Sequence, residues 1–143
     1  MKTILITCFI IATAICNQLF AQEALTEVSG TEIVVTVPVQ STDGKVIFGL
    51  YNKENFMQQP LQGLMGEIKD GQAQVTFTNV TPGEYAITLF HDKNDDNQMN
   101  FDVNGMPLES YGVSNNVMSM GPPQWSDAVF TVANEPITLE IRM

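Results

Sequence analysis

Oxygen-bearing side chains recur at every second position in the segment that follows His91. Asp92, Asn94 and Asp96 have this spacing, and a chain that carries carboxylate and amide oxygens in this way can wrap them around a hard cation such as calcium. If Asp92 is the first position of a calcium loop, Asn100 is the ninth, and the backbone carbonyl of Gln98 stands at the seventh. The pattern therefore predicts a calcium site with five side-chain ligands: Asp92, Asn94, Asp96, Asn100 and Asp102.

The segment departs from a helix–loop–helix calcium site at its end. The twelfth position, where such loops carry a bidentate Glu, is Val103, and Asp102 lies one residue short of it. Asn97 stands where these loops have Gly, and Asn tolerates the left-handed conformation better than most residues. A strand-like segment precedes the loop, and Gly105 and Pro107 oppose a helix after it. We expect either a calcium loop on a β-scaffold, closed by Asp102, or a turn rich in Asn and Asp that needs no metal.

His91 is the only histidine, and it raises the alternative of a hydrolytic enzyme. A strand places adjacent side chains on opposite faces, so Asp92 is poorly placed to orient the His91 ring. Ser110 and Ser114 are candidate nucleophiles, but no motif activates them. A single histidine is also too few for a typical zinc site. We therefore expect no catalytic residues, and a structural His91 that completes the core face and hydrogen-bonds the loop.

Tyr111 and Trp125 provide a third interpretation. An aromatic ring can stack on the apolar surface of a sugar while neighbouring amides and acids bond the hydroxyl groups. A carbohydrate-binding module would present these rings as an exposed, coplanar surface, whereas rings that cover the edge of a β-domain would be buried. A carbohydrate-binding module is therefore an alternative function.

Residues 1–21 have the pattern of a signal peptide. A lysine at position 2 precedes an apolar segment over residues 4–15, and Ala21 ends a plausible cleavage site. Both cysteines, Cys8 and Cys16, lie in this segment, so the mature chain would have no disulfide. Lipid attachment at Cys16 is an alternative. We expect an exported protein, periplasmic or extracellular, with no transmembrane segment after signal cleavage.

The charge balance limits the class of partner. The chain has 16 Asp and Glu against 6 Lys and Arg, for a formal net charge of −10 at pH 7. A protein this acidic repels phosphate backbones and anionic lipid surfaces, which excludes nucleic acid as an expected partner. We expect instead an unknown cell-envelope or extracellular protein, or a glycan.

Alternating apolar residues predict that residues 22–143 form one all-β domain. We expect an immunoglobulin-like β-sandwich of about seven strands, with one long ordered loop over residues 92–124 and no helix. Phe56 should fold the loop over residues 52–65 back onto the core. The predicted strands cover residues 33–39, 45–51, 67–69, 72–78, 84–90, 127–133 and 136–141. The predicted core comprises Val46, Phe48, Val75, Phe77, Tyr85, Ile87 and Leu89.

Several blocks of this sequence resemble a known family. They are Gly44-Lys45-Val46 with Phe56, residues 82–87, His91-Asp92-Lys93-Asn94, residues 105–115 and Asp127-Ala128. Together they are similar to the secreted bacterial family known as domain of unknown function 2141, in which a Gly commonly stands where this chain has Asn97. The resemblance implies export and a compact β-domain, and it implies no reaction. The Pro82-Gly83-x-Tyr85 segment also resembles transthyretin-like sandwiches, which bears on fold alone.

Overall fold

The computed structural model describes residues 30–117 and 119–143, so the predicted signal peptide lies outside the described residues. Eight strands account for the regular structure: β1 (Thr31–Pro38), β2 (Lys45–Tyr51), β3 (Gln62–Lys69), β4 (Gln72–Val80), β5 (Gly83–Asp92), β6 (Tyr111–Val113), β7 (Phe130–Val132) and β8 (Ile137–Glu140). A 3-10 turn at Ser114–Asn116 and one short helix, α1 (Trp125–Ala128), complete the described part. No helix within this part is long and apolar enough to cross a membrane. The described part is mostly β-strand, as predicted, with eight strands where about seven were expected. The expectation of no helix is wrong at α1, which includes residues 127 and 128 of a predicted strand.

The strands form one curled mixed sheet, shaped like half of a barrel. Their order is β6-β5-β2-β3-β4-β1-β8, and β7 pairs separately with β5. The pair of β1 and β8 is parallel, and the other pairs are antiparallel. The all-β class was therefore predicted correctly. The finer prediction of an immunoglobulin-like or transthyretin-like sandwich is not confirmed, because the strands follow one continuous path.

Strand β3 is where the sheet bends. Its first part pairs with β2, and its last two residues, Ile68 and Lys69, pair with β4. Gly66 lies just before this change of partner. A Cβ atom there would come within 2.9 Å of the Phe48 ring and 3.2 Å of Val75, so the missing side chain lets the two parts of the sheet close on each other. Sequence reasoning assigned only residues 67–69 to this strand and treated the preceding residues as loop.

The core lies inside the curl of the sheet. All seven predicted core residues are buried: Val46, Phe48, Val75, Phe77, Tyr85, Ile87 and Leu89. On β4, buried and exposed residues alternate over most of the strand, as the period of two in a half-buried strand requires. The core prediction is confirmed, and residues of β1, including Ile33 and Val35, complete the cluster.

The long segment after β5 is held to the sheet by three consecutive polar residues. Ser114 is buried, and its hydroxyl accepts a hydrogen bond from the backbone of β5 and donates one to the backbone of α1. The Asn115 amide donates to the carbonyls of Asp127, in α1, and Val129, just after it. The Asn116 amide donates to the Glu140 carbonyl, and its oxygen accepts from the Arg142 N–H. These contacts explain how a segment with little regular structure is ordered.

Candidate functional site

The candidate loop begins with a buried carboxylate at the end of β5. The Asp92 side chain has no exposed surface. Its Oδ1 accepts a hydrogen bond from the Asp96 N–H at 3.2 Å, and its Oδ2 accepts one from the Asn97 N–H at 2.9 Å. The Lys45 ammonium lies 3.4 Å from Oδ2 and compensates the buried charge. Asp92 therefore holds the first turn of the loop through hydrogen bonds to its backbone.

Three further side chains converge above Asp92. The Asp96 Oδ2 accepts hydrogen bonds from the Nδ2 atoms of Asn94, at 3.0 Å, and Asn100, at 2.9 Å. The Asn94 Nδ2 also donates to the Asn100 Oδ1 at 3.1 Å. The structure thus links four of the five predicted ligands, Asp92, Asn94, Asp96 and Asn100, and we call these four residues the oxygen cluster.

The fifth predicted ligand, Asp102, occupies a separate turn. Its Oδ1 accepts hydrogen bonds from the N–H groups of Asn104 and Met106, each at 2.8 Å. Among the described residues, no hydrogen bond joins Asp102 to the oxygen cluster. A side chain expected to close the shell instead stabilises the next reversal of the chain, as Asp commonly does in turns.

Glu109 is the residue at this site that sequence reasoning missed. It is buried, its Oε1 accepts a hydrogen bond from the Lys93 N–H at 3.1 Å, and its Oε2 accepts one from the Asn100 N–H at 3.2 Å. One carboxylate therefore ties both ends of the loop together. Glu109 is far from Lys93 in sequence, so local spacing could not predict this contact. The available signal was its place in the block over residues 105–115, which is similar to the family.

Left-handed residues give the loop its shape. Asn97 has a φ of 62°, which confirms the expectation that this position requires the conformation usually supplied by Gly. Asp95 has a φ of 59°, and its carboxylate lies 3.0 Å from the Lys45 ammonium. The Asp95 side chain thus points to Lys45, and no hydrogen bond among the described residues joins its carboxylate to the oxygen cluster.

The hydrogen bonds within the loop favour the ionised carboxylates. The Asn100 amide and then the Gln98 N–H lower the pKa of Asp96 below its ordinary value. The N–H groups of Met106 and then Asn104 lower the pKa of Asp102 in the same way. Hydrogen bonding to Asp95 raises the pKa of Lys45. The carboxylates of Asp96 and Asp102 are therefore ionised at neutral pH.

The donor set of the oxygen cluster determines which metal it suits. Within the part of the chain that the structure describes, no group of three or more His, Cys, Asp or Glu side chains is placed to hold a metal ion. A cation here would depend on amide oxygens as well as carboxylates. Oxygen donors of both kinds suit calcium, whereas zinc and copper prefer nitrogen and sulfur donors.

His91 is buried and hydrogen-bonded, as predicted, but its partner differs from the expected one. Its Nε2 lies 2.7 Å from the Asp43 carbonyl oxygen in the turn between β1 and β2. A carbonyl oxygen only accepts, so Nε2 carries the proton. Among the described residues, no hydrogen bond joins the ring to Ser110, although the His91 N–H donates to the Ser110 carbonyl. The ring thus attaches the end of β5 to a neighbouring turn.

The two aromatic residues of the carbohydrate interpretation lie in different surroundings. Trp125 is half-buried and packs edge to face on Phe56, with ring centroids 5.5 Å apart and an interplanar angle of 76°. Phe56 in turn packs edge to face on Tyr51 at 5.9 Å. These contacts place Phe56 between Tyr51 of β2 and Trp125 of α1. Phe56 is not part of the core cluster, so the expectation that it folds its loop back onto the core is not confirmed. The same contacts also give the Trp125 ring a packing partner inside the protein.

Tyr111 lines a cavity of about 240 Å³ beside strand β6. Polar residues share this cavity, including Asn116, Gln124, Asp127 and Arg142. Ligand pockets usually have volumes of about 300–1,000 Å³, so this cavity is large enough for only a small molecule or part of a larger one.

Comparison with known proteins identifies a matching family. The model of the family described as "Uncharacterized protein conserved in bacteria (DUF2141)" matches residues 34–140, which include the whole candidate loop. No curated protein and no solved structure matches significantly.

Proposed function

Since this chain belongs to DUF2141, a bacterial family of uncharacterized proteins, we propose a function from the chemistry of its own residues. We propose that it is an exported, periplasmic or extracellular, non-catalytic binding or accessory module whose acidic loop binds calcium. The observation that carries the calcium proposal is the oxygen cluster, in which Asp92, Asn94, Asp96 and Asn100 are linked by hydrogen bonds. The signal-peptide pattern of residues 1–21 supports export.

The oxygen cluster can accept a cation with small side-chain changes. Two amide nitrogens now point at the Asp96 carboxylate and compensate its charge. Rotating an Asn amide by half a turn exchanges its nitrogen and oxygen, so the same side chains of Asn94 and Asn100 can present oxygen ligands. A divalent ion would then replace the weak amide dipoles as the compensating charge.

We expect this calcium site to be weak. The bidentate Glu of high-affinity loops is absent, and Asp102 is engaged in its own turn. Affinities in the range of about 10⁻⁴–10⁻³ M, which are typical of extracellular modules, are therefore expected. Such a site would be filled outside the cell, where it would stabilise the loop without acting as a sensor.

A thermal melt tests the calcium proposal. At about 5 mM calcium, an ion with this affinity that binds only the folded state should raise the melting temperature by roughly 3–10 °C over the same protein in excess chelator. Asp96→Ala should abolish the rise. Asp95→Ala is the matched control, because the Asp95 carboxylate pairs with Lys45, and it should retain the rise. Equal melting temperatures for the unmodified protein in both buffers would leave only the metal-free turn.

The carbohydrate-binding module is the second candidate function, and the cavity beside Tyr111 favours it. The amide of Asn116 already bonds the backbone on both sides, so it has less capacity for a sugar hydroxyl. Asp127 and the Tyr111 ring are the residues that we expect to contact a sugar. Titration calorimetry with a panel of monosaccharides and oligosaccharides tests this function. Binding that Tyr111→Ala removes would support it and would replace the calcium loop as the functional site.

The hydrolytic alternative depends on His91. Because Nε2 donates to a carbonyl, only Nδ1 of the neutral ring could act as a base. A screen of ester, amide and glycoside substrates tests this alternative. Turnover that disappears in His91→Gln, with an unchanged melting temperature, would contradict the non-catalytic proposal.

The relation of the scaffold to sandwich folds is also a proposal. The core cluster packs residues of β1 and β4 together with residues of β2 and β5, and β3 turns between these pairs. That arrangement supports our proposal that the two parts of the curled sheet face each other as in an immunoglobulin-like or transthyretin-like β-sandwich. An experimental structure tests it, because a continuous ladder across β3 without two facing sheets would contradict a sandwich.

A further inference from the structure

The segment after the oxygen cluster forms a small hairpin with an unusual surface. We call residues 100–108 the tip hairpin. Val103 is fully exposed, Phe101 is 56% exposed, and Met106 and Leu108 are each more than 60% exposed. Single exposed apolar residues are normal on a soluble protein, but here four lie within eight residues of one hairpin, and concentrations of exposed apolar residues typically mark interaction sites.

The tip hairpin is ordered by its own hydrogen bonds. The Asp102 N–H donates to the Met106 carbonyl at 2.9 Å, and the Leu108 N–H donates to the Asn100 carbonyl at 2.9 Å. The Asp102 carboxylate fixes the reversal between them, and Glu109 attaches the base of the hairpin to the loop. A surface that is already ordered loses little conformational entropy when a partner binds, which favours affinity.

The charge around the tip hairpin selects the kind of partner. Of the five acids in residues 92–109, Asp92 and Glu109 are buried, whereas Asp95, Asp96 and Asp102 are not. These three acids outnumber the one base, Lys93, in a chain with a net charge of −10. A second copy of this chain would bring like charges together, and an anionic membrane would also be repelled. A surface rich in lysine or arginine would instead complement the acids while an apolar area covers Phe101 and Val103.

We propose that the tip hairpin is the docking surface for a protein partner whose apolar contact area is edged by lysine or arginine side chains. This inference rests on the proposed function as a binding module. The exposed apolar residues do not depend on calcium, whereas an ion bound at Asp96 would reduce the attraction of the acids for a basic partner. In this proposal the apolar residues supply most of the affinity, and the acids around them select a basic partner.

A short labelled peptide that alternates Lys with Leu carries both features of the partner and serves as the probe. Fluorescence anisotropy should show that it binds at least about tenfold more tightly than peptides that alternate Glu with Leu or Lys with Ser. The double variant Phe101→Ser/Val103→Ser should weaken binding at least about tenfold. The matched control, Leu61→Ser/Met65→Ser, removes two exposed apolar residues in and next to β3 and should leave the affinity unchanged.

Three results would overturn the proposal. The hairpin and control variants could bind the Lys–Leu peptide equally, which would indicate a general charge effect. Binding to phosphatidylcholine vesicles, lost in the hairpin variant, would assign the surface to a membrane. Sedimentation that shows a dimer, lost in the same variant, would assign it to a second copy. The peptide titration is run in calcium and in chelator, so that a failure of the calcium proposal in the thermal melt stays separate from these results.

Discussion

The sheet core and the acidic loop meet at the end of β5, and different forces hold them. On one side, Phe48, Phe77 and Ile87 are fully buried among other apolar side chains. On the other side, the carboxylates of Asp92 and Glu109 are buried against backbone N–H groups. Burial of apolar area is the main force in the first region, and directional hydrogen bonds to charged groups are the main force in the second.

Because of this difference, the core and the loop should respond differently to pH and to dissolved ions. Apolar burial does not depend on pH or on dissolved ions near neutrality, so the core should respond to neither. The loop consists of charged oxygens and amide dipoles, and its strength depends on the protonation of its acids and on any cation near them. The molecule thus combines an insensitive scaffold with a segment that its surroundings can change.

The largest expected change in stability comes from a substitution in the core. Phe48→Ala removes a fully buried ring, and the lost burial together with the cavity should lower the free energy of unfolding by about 3–5 kcal/mol. Urea denaturation followed by circular dichroism measures it. Phe101→Ala is the control, since the same change on an exposed ring of the tip hairpin should cost less than about 0.5 kcal/mol. Equal costs for both variants would contradict the division into two regions.

How well the strands could be predicted depends on how much each alternates. Strand β2 was predicted with both of its ends correct, because its apolar residues alternate between clear turn signals. The first part of β3 was missed, because Gly63 and Gly66 interrupt its pattern and only its contact with β2 makes it a strand. Strand β6 was missed because three residues are too few to show a period. Its pairing with β5 is a tertiary effect.

The candidate site was predictable to the extent that it is local in sequence. Asp92, Asn94 and Asp96 were predicted to lie together because they are close in sequence, and hydrogen bonds join them in the structure. Glu109 was missed because its partners, Lys93 and Asn100, become its neighbours only after the chain reverses in the tip hairpin. Asp102 was assigned to the shell by proximity in sequence, and the structure shows it in the turn of the hairpin.

The next prediction concerns the junction between the two regions. His91→Leu removes the hydrogen bond from Nε2 to the Asp43 carbonyl and should lower the free energy of unfolding by roughly 1–3 kcal/mol. Calorimetry measures the change. Because the ring belongs to the scaffold, the effect should be the same with calcium and with chelator. A cost that appears only in calcium would place His91 in the loop.

A smaller effect is expected within the loop. Glu109→Gln keeps one acceptor oxygen but turns an NH₂ group toward a backbone N–H, so the loop should lose about 1–2 kcal/mol. Hydrogen exchange should show faster exchange at the Lys93 and Asn100 amides, with unchanged protection of β4. Glu84→Gln is the matched control, on an exposed position of β5, and should change neither. Loss of protection throughout the sheet would show that the loop and the core unfold as one unit.

The smallest expected effect is a local response of the loop to acid, which compares the loop and the core directly. Hydrogen bonds lower the pKa of Asp96 and of Asp102 in the folded protein. Their contribution to stability is therefore present above the unfolded pKa of about 3.9 and is lost as the pH falls through the folded values.

The amide proton shifts of Gln98 and Met106, whose N–H groups donate to these carboxylates, should titrate with midpoints below about 3.9. The amide of Val75 in the core should stay constant over the same range. Asp96→Asn should remove the titration at Gln98 and leave it at Met106. If the Val75 amide shifted together with the loop amides, acid would be unfolding the whole domain, and the loop would not respond separately from the core.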